Sequence, residues 1–147
     1  MKITPENIRA LTWKQPFANL MLQGKIETRL WATNYRGLVL IHAGATPYFQ
    51  PALKDLCGPQ YDRIKHIDNT GAETDELMPL GKAIGIGTLT DCRRMLKTDQ
   101  DKCFVRWHSE LFCHVYTDVR AIVPFELKGH QKWFNLDQET INKIVLL

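Results

Sequence analysis

The sequence contains no apolar run near the roughly 20 residues that span a bilayer, and its opening MKITPENIRAL has no apolar signal core. A membrane-embedded or exported protein is therefore not expected, and the chain reads as cytoplasmic. It also lacks a C-x-x-C pair. Its four cysteines, Cys57, Cys92, Cys103 and Cys113, lie 35, 11 and 10 positions apart, which disfavours a zinc ribbon or a thiol redox motif. The expectation is reduced, mostly buried thiols. A metal site from Cys103, His108, Cys113 and His114 matches no standard ligand spacing, so neither a metal nor another cofactor is expected. Repeats, low-complexity stretches and interdomain linkers are absent. No pair of histidines stands at a spacing that suggests acid–base cleavage of RNA.

What is present fits one soluble domain over residues 1–147. At this length a chain buries roughly two-thirds of its unfolded surface. The hydrophobic fraction is 44% and the charged fraction 24%, both ordinary for a globular protein. A net charge of +3 leans toward anionic partners without choosing one, so the local distribution of charge matters more than the total.

That distribution is densest between Leu11 and Ala43. Pro16 can open a helix without losing a needed N–H. Phe17, Leu20 and Met21 recur at helical spacing, and Gly24 is a natural stop. A helix over Pro16 to Gln23 is thus expected, after a short helical turn over Pro5 to Leu11. If Lys25 to Arg29 is extended, Lys25, Glu27 and Arg29 share one face while Ile26 and Thr28 take the other. Two cations bracketing a carboxylate can hold one another, and can hold an anionic or polar ligand. Tyr35-Arg36-Gly37 reads as a turn before Leu38 to Ala43, an apolar run expected as a fully buried strand.

Beyond Ala43, Tyr48 to Cys57 is expected to be helical, and Gln60 to Leu80 a long loop. Lys82 to Asp91 reads as a strand whose Gly85 and Gly87 mark a bend, a bulge or a close backbone approach. Arg93 to Cys103 suggests a turn or short helix; Arg93, Arg94 and Lys97 form a small charge run of the kind usually found on a solvated face. Cys113 to Val123 has strand composition, with Val115, Thr117, Val119, Ala121 and Val123 expected on one face. Asp137 is a good N-cap for a last helix, Gln138 to Val145, with Ile141, Ile144 and Val145 inward. Short strands with bend glycines and few helices point to an α+β chain: a small, mainly antiparallel β-barrel decorated by short helices.

The ordered motifs resemble the ASCH domain, a branch of the PUA-like superfamily. The matching elements are Gln15-Pro16-Phe17-Ala18, Gly24-Lys25-x-Glu27-x-Arg29, Trp31-x-Thr33-x-Tyr35-Arg36-Gly37 and Ile41-His42-Ala43. Later come Gly85-x-Gly87-x-Leu89-x-Asp91 and Pro124-Phe125-x-x-Lys128-Gly129-x-Gln131-x-Trp133. The likeness spans most of residues 11–136. It departs from the family pattern in a Lys-to-Glu spacing one residue shorter than the commonest form, and in His130 and Lys132 where glycine is more usual. The resemblance implies a PUA-like barrel with a cleft beside the charged strand, and partners that are RNA, DNA or a modified nucleoside. Some members resemble amidohydrolases that deacetylate N4-acetylcytidine with a Lys, a Thr and a Glu; others are reported as ribonucleases. Fold alone does not choose among these.

The residue chemistry supplies the candidate site. Lys25 and Arg29 can contact phosphate, Arg29 with a bidentate fork. Glu27 can accept from a base amino group, act as a general base if burial raises its pKa, or orient the two cations. Tyr35 can stack on a base, with Arg36 beside it, and Trp13 and Trp31 flank the charged strand. Lys128, His130, Gln131, Lys132 and Trp133 form a second basic-aromatic cluster expected at the same cleft. His42, ending an apolar strand, is expected to be a satisfied buried imidazole. The expected ligand-binding set is Trp13, Gln15, Lys25, Glu27, Arg29, Tyr35, Arg36, Lys128, Gln131 and Trp133, with Lys25 and Glu27 catalytic if the protein is an enzyme. For an amidohydrolase, a Thr is needed where Glu27 stands; Thr28 is adjacent, and Glu110 is the one loose candidate for the downstream acid.

Overall fold

The computed structural model describes residues 2–46 and 79–147; the expected helix over Tyr48 to Cys57, and all but the end of the Gln60 to Leu80 loop, lie outside them. Five strands form one curled sheet: β1 (Ile8–Trp13), β2 (Glu27–Arg29), β3 (Gly37–Ala43), β4 (Lys82–Arg94) and β5 (Phe112–Glu126). Their order is β1-β3-β4-β5-β2. β1 runs parallel to β3, and every other pairing is antiparallel. Among the described residues, three short α-helices decorate the sheet, α1 (Phe17–Met21), α2 (Gln100–Cys103) and α3 (Gln138–Ile141), with a 3-10 turn over Lys97–Asp99 leading into α2. The result is a curled half-barrel sheet, in keeping with the small, mainly antiparallel α+β barrel expected from the sequence. Among the described residues, no helix is long and apolar enough to cross a membrane.

β3 explains the architecture. Its Val39, Ile41 and Ala43 join Leu11 and Trp13 of β1 and Ala18 and Met21 of α1 on one side of the sheet. Its Leu40 joins Ile8, Ala10, Ile86, Ile122, Leu136 and Ile141 on the other. A strand covered on both faces needs the continuous apolar run that the sequence supplies.

Four expectations change. The helical turn before the first strand is confined to Pro5–Asn7, and Ile8 onward is strand. The parallel partner β3, distant in sequence, decides this, because pairing buries Ile8, Ala10 and Leu11 at once. The even alternation of β5 also fails. Register shifts interrupt the β4–β5 ladder and Asp118 has φ 52, so Tyr116 and Val119, of opposite parity, pack on the same cluster. Arg93 and Arg94 belong to β4 rather than to a turn. Finally, α3 has the expected cap, with Asp137 accepting from the Thr140 N–H at 2.8 Å, but ends at Ile141. The Val123 N–H donates to the Val145 carbonyl and the Leu147 N–H to that of Ala121, so the tail pairs with β5 and Val145 is exposed.

The bend glycines do what the sequence suggests. A Cβ on Gly85 would lie 2.6 Å from Leu22 Cδ2, and one on Gly87 would lie 2.9 Å from Val119 Cγ2.

Candidate functional site

β1 and β2 are the two edges of the sheet, and the Lys25–Glu27–Arg29 row bridges the gap between them. Gly24, at φ +90, turns the chain out of α1 in a conformation that costs glycine little. Lys25 and Ile26 are then pinned by backbone bonds to Leu20 and Lys102, at 3.1 and 2.8 Å. The Lys25 ammonium donates to the Ile26 carbonyl at 3.0 Å and to Glu27 Oε1 at 2.9 Å. Glu27 Oε1 also accepts from the Thr28 N–H at 3.0 Å, and Oε2 from Arg29 Nε at 3.0 Å. Arg29 Nη2 reaches the Thr12 carbonyl of β1 at 3.2 Å. Its guanidinium carbon lies 5.2 Å from the Trp13 ring centroid and 5.8 Å from that of Trp31, within cation–π range.

Exposure rises along the row: the side chains of Lys25, Glu27 and Arg29 are 1%, 8% and 21% exposed. Lys25 and Glu27 therefore form a floor and Arg29 the reachable part. Burial alone would push the Glu27 carboxyl up, but the Lys25 and Arg29 charges and the bonds from Lys25 and Thr28 outweigh it and hold the pKa below its ordinary value. Glu27 is thus ionised at neutral pH with both oxygens engaged. That geometry suits orienting two cations rather than taking a proton from a substrate.

Above this floor lies a cleft of about 850 Å³. Its walls carry Lys14, Lys25, Arg29, Lys128 and Lys132 against the single carboxylate of Glu27 among the described residues. Trp13, Phe17, Trp31 and Val105 supply apolar surface, and Thr12, Thr28, His130 and Gln131 polar groups. Thr12, His42 and the Leu127 carbonyl form a clasp at one end. His42 Nε2 lies 2.6 Å from Leu127 O; a carbonyl only accepts, so Nε2 carries the proton. Nδ1 then accepts from the Thr12 hydroxyl at 3.1 Å. Burial lowers the His42 pKa, against the pull of the Leu127 carbonyl, keeping the imidazole neutral. Both ring nitrogens are satisfied. A Cβ on Gly129 would come within 2.7 Å of His42 Nδ1 and Thr12 Oγ1, so glycine is what lets the closing segment cross this clasp.

The remaining expected site residues divide. Lys128 and Gln131 are exposed on the cleft wall with the Lys25 row. Trp13 reaches the cleft but is only 1% exposed; its ring lies beneath Arg29 and edge-on to Tyr116 at 5.9 Å. Gln15, Tyr35, Arg36 and Trp133 do not line the cleft. Gln15 is buried, donating to Asn19 Oδ1 and the Pro79 carbonyl. Tyr35 donates to the Leu38 carbonyl at 2.7 Å and stacks at a tilt on Trp133, 5.1 Å away. Arg36 folds back on the Thr33 and Tyr35 carbonyls. Trp133 braces Trp31 at 6.1 Å. Trp133, with Tyr35 against it, thereby backs the Trp31 side of the wall.

Thr12, Lys14 and Val105 belong to the cleft without having stood out in the sequence; a strand through Ile8–Trp13 is the signal that places the first two. Thr28, expected on the face away from Lys25, also reaches the cleft wall, whereas Glu110 sits outside it in an exposed turn. Cys103 and Cys113 are buried with their sulfurs 3.7 Å apart, and burial pushes both thiols up. His108 accepts from the Glu110 N–H and His114 engages the Trp31 carbonyl, so the four residues weighed as a metal set do not converge.

No family model matches the sequence, and no curated protein matches it. Solved structures do resemble it. A crystal structure of ASCH from Zymomonas mobilis covers 93% of this chain and 92% of its own, at 13% identity and a TM-score of 0.52. The fold is that of the ASCH domain. A serine-to-alanine variant of the same bacterial protein covers 96% of both chains at 13% identity, with a TM-score of 0.56. A tyrosine-to-phenylalanine variant covers 93% of this chain and 95% of its own, also at 13% identity, with a TM-score of 0.55. What this chain shares with ASCH structures at that identity is the backbone path. The charged row leading into β2, the crossing at Gly129 and the cleft between them are read from its own residues.

Proposed function

We propose that this ASCH-fold protein is a nucleic-acid-binding module whose cleft holds an RNA strand or a modified nucleotide. The observation that carries the reading is Arg29, fixed by Glu27 and the Thr12 carbonyl between the Trp13 and Trp31 rings, and the most exposed member of its row. A pre-oriented guanidinium beside aromatic surface suits a phosphate next to a base. Lys14, Lys128 and Lys132 around it supply charge of the sign that a phosphate backbone requires. The low pKa of Glu27 supports a binding role, since its carboxylate is committed to holding the cations.

Fluorescence anisotropy with a labelled single-stranded RNA tests this. Affinity is expected to fall as salt rises, by about 0.7 log units per decade for each phosphate contacted. Arg29→Ala is expected to weaken binding about tenfold, as loss of a charge-assisted contact. Binding indifferent to both salt and Arg29→Ala overturns the reading.

A further inference from the structure

The cleft does not account for the face built by the end of β4 and the segment after α2. Trp107 there is 37% exposed and held in one orientation: its backbone N–H donates to Gln100 Oε1 at 2.7 Å and its indole N–H to the Met95 carbonyl at 3.1 Å. The Lys97 ammonium lies 5.1 Å from the ring. Arg94 covers Phe112 at 5.0 Å, and Arg106 is exposed beside Trp107. Arg93 is not part of this charge, because Asp99 takes its guanidinium in a fork at 2.8 and 2.9 Å. Asp101 and Glu110 are the exposed carboxylates of the same segment.

This face adjoins the cleft along the chain. Val105 lines the cleft wall, and Trp107 follows two residues later, within about 7 Å along the chain. That distance puts Arg106 and the indole within reach of a strand that leaves the cleft at Val105. We infer that Trp107, with Lys97 and Arg106, is a second binding site: a platform on which a further base of the same single-stranded RNA stacks. This rests on the reading of the cleft as an RNA site. The chemistry favours this occupant because a fixed, half-open aromatic among exposed cations matches a base and its flanking phosphates together. An acidic protein segment would answer the charge but has no need of an oriented ring face.

The test compares a uridine dinucleotide, long enough for the cleft alone, with a uridine dodecanucleotide, by anisotropy on the full chain. The dodecanucleotide is expected to bind more tightly. Trp107→Ala is expected to weaken the dodecanucleotide about tenfold, the loss of one stacked base, and to leave the dinucleotide unchanged. Trp107→Phe, which keeps the aromatic face and loses the bond to Met95, is expected to retain most of the affinity. Lys97→Glu combined with Arg106→Glu is expected to weaken only the longer ligand and to flatten its salt dependence.

A dodecanucleotide affinity untouched by Trp107→Ala, or a dinucleotide weakened equally, overturns the platform. Arg29→Ala separates this from the cleft reading, because it must weaken both ligands. If Arg29→Ala acts and Trp107→Ala does not, the cleft stands and the platform falls. If neither oligonucleotide binds the wild-type chain, the platform falls, and with it the RNA-strand form of the cleft reading.

Discussion

Glu27 and Arg29, two positions apart on a three-residue strand, are joined at 3.0 Å, and that contact aims the guanidinium across the open seam of the sheet to the Thr12 carbonyl. The strand's alternation makes this possible. The neighbouring Lys25, on the same face, completes the carboxylate's partners from the buried side.

Glu27→Gln keeps the shape of the row and removes its charge. Lys25 would then be buried without a counter-charge, the situation that costs about 3–5 kcal/mol when one partner of a buried pair is lost. Urea unfolding should show a loss of that order. A loss within about 0.5 kcal/mol, the scale of an ordinary surface substitution, would mean that the row is not held by its carboxylate.

Arg29→Lys keeps a cation but cannot bond Glu27 and Thr12 at once in the fork geometry. Its effect on unfolding should be smaller than that of Glu27→Gln, because Arg29 is the more exposed partner. RNA affinity should nonetheless fall several-fold, and retained affinity would show that charge alone, not orientation, is what the cleft uses.

Stability should fall in two stages as pH is lowered. His42 and His114 are both held neutral by burial, with pKa values below the ordinary 6.5. The unfolded chain therefore takes protons first, and stability starts to decline below about pH 6.5. Asp99 is brought down to about 2 from 3.8 by the Arg93 fork, against the opposing effect of burial. Its contribution is present above the unfolded value and is lost between about pH 4 and 2; Glu27 shifts in the same direction. Denaturant midpoints across this range should show both stages. Asp99→Asn should lose about 2 kcal/mol at neutral pH, the scale of a hydrogen bond to a charged group, and should flatten the acid stage.

Gly129→Ala would place a methyl within 2.7 Å of His42 Nδ1 and Thr12 Oγ1. The ring cannot swing aside without giving up the bond to Leu127 or to Thr12. A destabilisation of about 1–3 kcal/mol is expected, as for overpacking elsewhere, together with weaker RNA binding, because the displaced segment carries Lys128 and Lys132. Unchanged thermal unfolding would show that the crossing is looser than its distances.

The legible parts of this chain were those whose cause is local. Gly24 followed by alternating charges gave the Lys25–Arg29 geometry, the apolar run Leu38 to Ala43 gave the central strand, and Asp137 gave a cap. Distant partners hid the rest. β1 shows no strand pattern strong enough to outweigh Pro5 and Asn7, and it exists because β3 lies beside it. Without β1, Trp13 reads as an open ligand surface. Asp118 carries no mark of the left-handed turn that breaks the parity of β5. The last helix stops where the tail finds hydrogen bonds on β5, a choice no propensity records. Gln15 and Tyr35 read as ligand contacts in the sequence because side-chain type does not reveal which polar groups are already spent on carbonyls.

The two sheet edges also bear on how copies of this protein meet. β2 is only three residues long, and on its outer side β1 is paired at Ala10 with Phe134 by two backbone bonds, at 2.9 and 3.0 Å. Neither presents a long run of open amides among the described residues, so these two edges offer little template for edge-to-edge growth into fibrils. Phe134 thereby serves as a gatekeeper, and a proline there, which has no N–H to give to Ala10, would make aggregation on gentle heating the first symptom of its loss.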